Sequence, residues 1–406
     1  MRLTKIPQKF KEALPILKKI QEAGFEAYFV GGSVRDTLLG LEIHDIDIAT
    51  SAYPAEIKQI FSKTVDTGIE HGTVMVLDHG IGYEITTFRT ESTYQDYRRP
   101  DKVEFVRSLA EDLKRRDLTI NALAMDSNGQ IVDLFGGLSD LDAHIIRAVG
   151  IAQERFHEDA LRMMRALRFS SQLDFKIEKQ TLQAIVQNAP LLEKIAVERI
   201  HVEWIKLLKG KAPSQGLQAF IETKMYRYCP LLETKKQGLQ TMLEMQPFSC
   251  QSDEQCWAYL SFCLNLTKQD TVELLRAWKC ANETIQKTQK VIAFLQSLKT
   301  ENVTKRLLFE TGKDLISCAN QLALQAGFGW KEEQLMTQYE LLPLKNKKQL
   351  CLNGKDLMAL GYQPGPSLGE LLARVEQLVL DGQLKNNSRD LEAYAIEQLS
   401  MNERVK

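Results

Sequence analysis

Two carboxylates one residue apart, Asp45 and Asp47, lie in the run His-Asp-Ile-Asp-Ile at 44–48. On a strand, alternate side chains share a face, so both carboxylates would converge on one point while Ile46 and Ile48 turn to the core. Oxygen donors held this way suit Mg²⁺, which takes one or two carboxylates and completes its shell with water and substrate phosphates. A phosphate cradle precedes them in Gly-Gly-Ser-Val-Arg-Asp at 31–36. Its glycines let backbone N–H groups approach a triphosphate, with Arg35 in the first turn of the helix that follows. Taken singly, an Asp-x-Asp is commonly a solvated strand end and a Gly-Gly pair a turn. In the order strand, glycine turn, helix, strand with paired carboxylates, they describe machinery for transferring a nucleotidyl group.

The elements that must hold this machinery follow from periodicity. Phe10 to Ala23 has helical spacing and stops at Gly24, and the apolar run up to Val30 predicts a buried strand. Ser33 to Leu39 predicts a short helix closed by Gly40, and Pro54 opens another. Residues 73–77 and 83–88 alternate as strands around the turn 79–82. Glu84 on the second of these is either a third carboxylate for the site or an ordinary cross-strand glutamate. The polar stretch 89–101, rich in arginine and ending near Pro100, predicts a mobile functional loop. Ser108 and Glu111 have capping-box spacing and predict one helix carrying residues 114–122. That helix would crowd Arg115, Arg116, Asp117 and Asn121 beside the carboxylates, placed for ribose and phosphate contacts. In Asp-Leu-Phe-Gly-Gly at 133–137, the glycines point to a close backbone approach or a hinge.

From about residue 150 the pattern becomes helical to the end. Residues 158–169 read as one helix, on which Asp159, Arg162 and Arg165 form a polar stripe with Arg168 at its edge. Leu161, Met164 and Leu167 take another face. An exposed Asp-Arg pair would add under about 1 kcal/mol, and three arginines beside core methionines fit that role poorly. Trp204, Trp257, Trp278 and Trp330 sit at helical apolar positions and are expected in cores. The basic stretch 343–348 reads as a hinge. Ser367 with Glu370 has capping-box spacing, so the Pro-Gly-Pro turn before it either presents a helix N-terminus to a phosphate or is purely structural. The fold class is therefore α+β: an N-terminal mixed-sheet domain followed by an all-α remainder.

At 406 residues the chain is long enough for two to four domains. Its composition is that of a soluble globular protein, without a membrane-spanning run or a signal-peptide core. Seven irregularly spaced cysteines without a Cys-x-x-Cys pair read as reduced thiols in a cytoplasmic protein, with neither a zinc site nor a disulfide framework. The net charge of −1 is unevenly spread: residues 1–150 hold 18 Lys+Arg against 23 Asp+Glu, and the rest 34 against 30. So small a basic excess in the helical part means that RNA would be held by shape and local patches.

Taken together, the motifs at 31–36, 45–47, 115–122, 133–137, 158–168 and 197–200 resemble those of the class II tRNA nucleotidyltransferases, the CCA-adding enzymes. That family belongs to the superfamily of DNA polymerase beta and poly(A) polymerase. The resemblance implies a catalytic head at 1–150, a base-recognising neck at 151–210, a helical body at 211–330 and a tRNA-binding tail at 331–406, in a protein that is often a homodimer. It implies template-independent addition and repair of the CCA end of tRNA from CTP and ATP, with the enzyme gripping the 3′ end and upper half of tRNA. Asp45 and Asp47 would then hold Mg²⁺, and Gly32 and Arg35 the triphosphate. Arg116, Asp159, Arg162, Arg165 and Arg168 would form the nucleotide pocket, with Asp117 and Asn121 near the sugar, while the 89–101 loop would support the change from CTP to ATP. A partial enzyme adding only CC or only A, a poly(A) polymerase and a non-catalytic RNA-binding protein are the alternatives, although the last would be expected to have lost an Asp.

Overall fold

The computed structural model describes residues 1–91, 94–95, 99–100, 103–245 and 250–404. The chain divides into two compact units, Met1–Cys250 and Gln251–Lys406. Within the 89–101 loop, residues 92–93, 96–98 and 101 lie outside the described residues; of the rest, the backbone of Arg89–Glu91 pairs antiparallel with Val103–Phe105 and that of Tyr94–Gln95 with Arg99–Pro100.

The first unit is built on a seven-stranded mixed sheet. Its strands are β1 (Ala27–Val30), β2 (Asp47–Thr50), β3 (Thr64–Gly68), β4 (Thr73–Asp78), β5 (Ile81–Thr87), β6 (Leu123–Met125) and β7 (Ile131–Asp133), in the order β7-β6-β1-β2-β5-β4-β3. Only β2 and β5 run parallel. Phe29, Ile48 and Ile85 fall in register on one face and are fully buried. On that face α1 (Gln8–Glu22) packs Phe10 edge-on to Phe29, with ring centroids 4.8 Å apart. The opposite face, which carries Asp47, buries Val30, Ala49 and Ala124 with Phe88, Leu109 and Leu113. The helices α2 (Gly32–Leu38), α3 (Pro54–Ile60) and α4 (Leu109–Lys114) complete this half.

The strand expected to carry both carboxylates begins only at Asp47, where its partner β1 ends: Val30 pairs with Asp47 and the chain then turns at Gly31 into α2. Lys9 Nζ holds the preceding segment by the carbonyls of Ile43 and His44, at 2.5 and 3.2 Å. Asp45 therefore lies on the segment leading into β2, and Ile46 is half-buried, not core. The helix after Ser108 is shorter than expected, stopping at Lys114. Beyond it, the backbone of residues 117–119 pairs with 147–149 instead: Thr119 N–H donates to the Arg147 carbonyl and Val149 N–H to that of Asp117. Strand β3 carried too little alternation to be read beforehand, and the hairpin turn is tighter than expected, at His79-Gly80.

At 133–137 the glycines do mark a close approach. The Asp133 carboxylate accepts from the N–H groups of Gly137 and Leu138, both at 2.9 Å, starting α5 (Gly137–Asp142). A Cβ on Gly137 would lie 2.3 Å from the Thr119 carbonyl oxygen. Gly137→Ala is accordingly expected to destabilise the protein by about 2–3 kcal/mol, since backbone must move to admit it. Urea unfolding followed by circular dichroism checks this, and a midpoint equal to the wild type would show that the turn yields freely.

The rest of the first unit is mainly helical, with α6 (Ala152–Glu158), α7 (Leu161–Leu173), α8 (Lys179–Asn188), α9 (Val197–Leu208) and α10 (Pro213–Glu222). The expected single helix over 158–169 is broken at Asp159. That residue is extended, at φ −137°, and its carboxylate accepts from Leu161 N–H at 3.0 Å, which starts α7 afresh. Met163, Met164, Leu167, Trp204 and Phe220 are fully buried here.

The described part of the second unit is all helix and connection. Trp257 and Trp278 meet edge-on in its core, while Trp330 is only half-buried, its backbone held by the Asn320 amide. At the expected hinge, Lys345 Nζ donates to the carbonyls of Tyr339, Glu340 and Leu342, closing the helix Glu332–Glu340. The helix after the Pro-Gly-Pro turn begins at Pro366 with Gly365 as its cap, so Ser367 lies inside the first turn and caps nothing. All seven cysteines are free. Among the described residues, no helix is long and apolar enough to cross a membrane.

Candidate active site

Because β2 and β5 run parallel in the register Asp47 to Glu84, the two carboxylates sit side by side on one sheet face. Burial, the charge of Glu84 and that of Asp45 hold the Asp47 carboxyl above its ordinary value, with Arg116 opposing them. Among the described residues, no group of three or more His, Cys, Asp or Glu closes around a point as a complete metal cage would. Mg²⁺ does not need one: one or two carboxylates suffice when substrate phosphates supply the remaining oxygens.

Facing the carboxylates is a cavity of about 680 Å³. It is lined by Gly32, Arg35, Arg116, Asp117, Asn121, Asp159, Arg162, Arg165 and Arg168 together with Asp47 and Glu84. Every residue expected at the site except Asp45 thus borders one space, and Asp45 lines the adjoining cavity, which Asp47 and Glu84 share.

A buried polar network fixes the cationic wall. Arg35 donates to Asn121 Oδ1 at 2.6 Å, Asn121 donates to Asp117 Oδ1 at 3.1 Å, and Arg165 Nε donates to Asp117 Oδ2 at 2.6 Å. Burial alone would raise the Asp117 carboxyl, but Arg165, Asn121 and Arg162 outweigh it and hold it well below the usual carboxylate range. Asp112, itself buried, anchors Arg116 at 3.1 Å and Arg115 at 2.8 Å. Burial lowers the Arg168 guanidinium to about 10, still charged at neutral pH, against the carboxylate of Glu203 at 3.2 Å. The pair is poorly aligned: Arg168 Nε and Glu203 Oε2 are buried without a hydrogen-bond partner, as is Arg116 Nε. Orphaned guanidinium donors at a cavity wall suit an anionic ligand, since leaving them unmet costs desolvation energy.

The break at Asp159 changes the expected geometry of recognition. Asp159 and Arg162 are not two rungs of one helical stripe. Asp159 takes Arg199 from α9 at 2.7 Å, and Arg162 takes Glu158 at 2.6 Å. Arg199 also borders the cavity and was signalled only as part of the 197–200 motif. Phe169 was missed altogether: its ring lies 4.1, 4.8 and 5.6 Å from the guanidinium carbons of Arg168, Arg35 and Arg165. No pattern marked it, because the cluster is completed by Arg35, which comes from α2 to join Arg165 and Arg168 of the ring's own helix.

Comparisons with known proteins agree with this architecture. Residues 27–147 match the family model described as the poly A polymerase head domain, 174–235 the probable RNA and SrmB-binding site of polymerase A, and 248–395 the tRNA nucleotidyltransferase domain 2. The chain is 59% identical to a CCA-adding enzyme of Ligilactobacillus salivarius over 96% of its own length and 97% of that protein. It is 54% identical to one of Limosilactobacillus reuteri, over 96% of each. The crystal structure of the Bacillus stearothermophilus CCA-adding enzyme in complex with CTP superposes with a TM-score of 0.85 at 39% identity, covering 99% of this chain and 100% of that one.

Proposed function

The chain belongs to the bacterial CCA-adding enzymes, and from that premise we propose how the residues of this site divide the work. The enzyme is a tRNA nucleotidyltransferase that adds and repairs the 3′-terminal CCA of tRNA, using CTP and ATP and no nucleic-acid template. In each step the RNA 3′-oxygen bonds to the α-phosphorus as the bond from that phosphorus to pyrophosphate breaks, and the hydroxyl proton leaves to solvent. The observation that carries the assignment of roles is the single cavity in which the Asp47–Glu84 row faces a wall of buried arginines.

Enzymes of this superfamily use divalent metal ions. We take the ion here to be Mg²⁺, held by Asp45 and Asp47, because the donors at hand are all carboxylate oxygens. When bound, it would acidify the 3′-hydroxyl and neutralise the leaving pyrophosphate. Gly32 brings backbone close to the triphosphate and Arg35 neutralises it. Arg116 and Arg168 add positive charge beside it, and Asp117 and Asn121 hold Arg165 and Arg35 in place beside the sugar. Asp159 and Arg162 read the base. The chain-level reading keeps a catalytic head at 1–150, a neck at 151–210, a body at 211–330 and a tRNA-binding tail at 331–406, in a cytoplasmic homodimer. Light scattering tests the last point, by a mass near twice that of the chain.

The defining experiment supplies tRNA trimmed of CCA with CTP, ATP or both, and sequences the ends. CTP alone should give CC, and both together CCA. Stopping at CC in the presence of ATP, or indifferent use of UTP, would overturn the reading.

Phe169→Leu tests the cationic wall separately. Each cation–π contact is worth about 0.5–2 kcal/mol, and the ring also spaces three like charges. The variant is expected to raise KM for CTP and ATP by roughly tenfold with kcat little changed, and Phe169→Tyr to restore it. A fall in kcat at constant KM would place the ring in the chemical step instead.

A further inference from the structure

Glu203 is a buried carboxylate, 5% exposed, that stands behind the arginine wall. It projects from α9, one turn beyond Arg199, and lies 3.2 Å from Arg168 on α7. Arg168 lines the nucleotide cavity, whereas Glu203 is not among the described residues that do. One helix thus lends α7 a cation at Asp159 and, from behind, an anion at Arg168.

The three guanidiniums gathered on the Phe169 ring each lie beside a carboxylate, but not in the same way. Arg35 Nε donates to Asp36 at 2.9 Å, and Arg165 Nε donates to Asp117 at 2.6 Å. Arg168 Nη1 reaches Glu203 Oε1 only at 3.5 Å, and the facing Nε and Oε2 are both buried without a hydrogen-bond partner. A bond so long adds little. Opposite charges this close, each more than nine-tenths buried, still attract strongly through a low-dielectric interior. Glu203 therefore acts on Arg168 through its charge more than through a bond. The same carboxylate opposes the burial that lowers the Arg168 guanidinium, and it favours the charged form of Arg165.

The carboxylate is also held still. Ser171 Oγ at the end of α7 donates to the Leu207 carbonyl of α9 at 2.6 Å, and a Cβ on Gly210 would collide with that same oxygen. Trp204 and Leu207, on either side of this contact, are fully buried. When Arg168 turns to a ligand, Glu203 cannot follow it.

We propose that Glu203 is a positioning residue that holds Arg168 by charge and so loosens the grip of the arginine wall on the triphosphate and on the departing pyrophosphate. This rests on the reading above that the wall holds the triphosphate. Guanidiniums remain charged at neutral pH, so a wall without Glu203 keeps its cations and loses an anion that neutralises them. Such a wall binds the triphosphate more tightly, but binding shared by substrate and departing product does not speed the chemistry. An enzyme that sheds pyrophosphate before each further addition is served by cations that are partly neutralised from behind.

Glu203→Gln keeps the shape of the side chain and an oxygen facing Arg168 while removing the charge. Calorimetric titration with pyrophosphate and Mg²⁺ is expected to show roughly tenfold tighter binding than wild type, with KM for CTP lowered and KM for trimmed tRNA within about twofold. Loss of packing alone would weaken binding instead. The variant should melt lower than wild type without ligand and be raised further by pyrophosphate. Glu203→Asp withdraws the charge by one methylene and should tighten pyrophosphate by about threefold, which keeps the test open if Glu203→Gln does not fold. Unchanged or weaker pyrophosphate binding by the folded variants would overturn the proposal. Arg168→Gln separates the two levels of the argument: it is expected to weaken pyrophosphate by roughly tenfold or more, and unchanged affinity there would remove the arginine-wall reading itself.

Discussion

Asp47→Ala protein is expected to add nucleotides about a thousandfold more slowly than wild type, or not at all, with its affinity for tRNA largely unchanged. A carboxylate holding the metal contributes several kcal/mol to stabilising the charge of phosphoryl transfer, and each 1.4 kcal/mol is a decade in rate. Asp45→Ala is expected to lose at least roughly a hundredfold by the same reasoning. Asp47 should be the more severe of the two because it is fixed by pairing to both β1 and β5, whereas Asp45 lies on the segment outside the ladder. A thermal melt separates lost chemistry from lost fold. Burial, Glu84 and Asp45 raise the Asp47 carboxyl in the folded protein, so its ionised form costs stability above the unfolded pKa. The alanine variant should therefore melt at or above the wild-type temperature. Initial rates with Mg²⁺, filter binding of tRNA and a thermal melt check the three statements, and substantial transfer by Asp47→Ala would remove the metal assignment.

What could be read from the chain was whatever local chemistry alone decides. Asp47, Gly32 and Arg35 sit on elements whose apolar periodicity and glycine punctuation leave few alternatives, and they border one cavity; Glu84, open between a third carboxylate and a cross-strand glutamate, borders it too. The strand expected from Asp45 is cut short by a distant element, since β1 ends at Val30 opposite Asp47. Two other failures share a cause, a side chain taking a backbone group that periodicity assigns to a helix. Asp117 accepts from Leu118 N–H at 2.8 Å as that segment turns to pair with 147–149. Asp159 caps α7 where a continuous helix was expected. Asp117 and Asp159 both line the nucleotide cavity. Local rules break at these two carboxylates of the cavity wall, and the pairings that bring partners from afar, Arg199 to Asp159 and Glu203 to Arg168, leave no mark in a local window.

On the proposal that Asp159 and Arg162 read the base, the break at Asp159 alters how bases would be discriminated, and makes the double variant Asp159→Ala with Arg162→Ala informative. Cytosine and adenine both present an exocyclic amino donor beside a ring-nitrogen acceptor, whereas uracil and guanine present a carbonyl beside a ring N–H. An ionised Asp accepts and an Arg donates, so the pair matches C and A and faces U and G with both senses reversed. A helical stripe would have fixed the two groups by backbone geometry alone. Here each is aimed by its own partner, Asp159 by Arg199 at 2.7 Å and Arg162 by Glu158 at 2.6 Å. A carboxylate has about four lone-pair sites, so Asp159 can keep Arg199 and the Leu161 N–H while accepting from a base. A guanidinium carries five N–H donors, so Arg162 can hold Glu158 and still face a base. Recognition thus needs no partner to be expelled, only the buried Arg162 and half-buried Asp159 to meet a base of the correct sense. A mismatched buried group costs about 1–3 kcal/mol, and two mismatches reach a hundredfold or more in selectivity. The double variant is expected to lower kcat/KM for CTP and ATP by roughly a hundredfold and to narrow their advantage over UTP and GTP by at least tenfold. Removing both side chains strands Glu158 and Arg199, so a thermal melt must accompany kcat/KM for all four nucleotides on matched tRNA ends. Unchanged discrimination in a folded double variant would show that Asp159 and Arg162 only cap α7 and pair with their neighbours, and that the base is read elsewhere on the arginine wall.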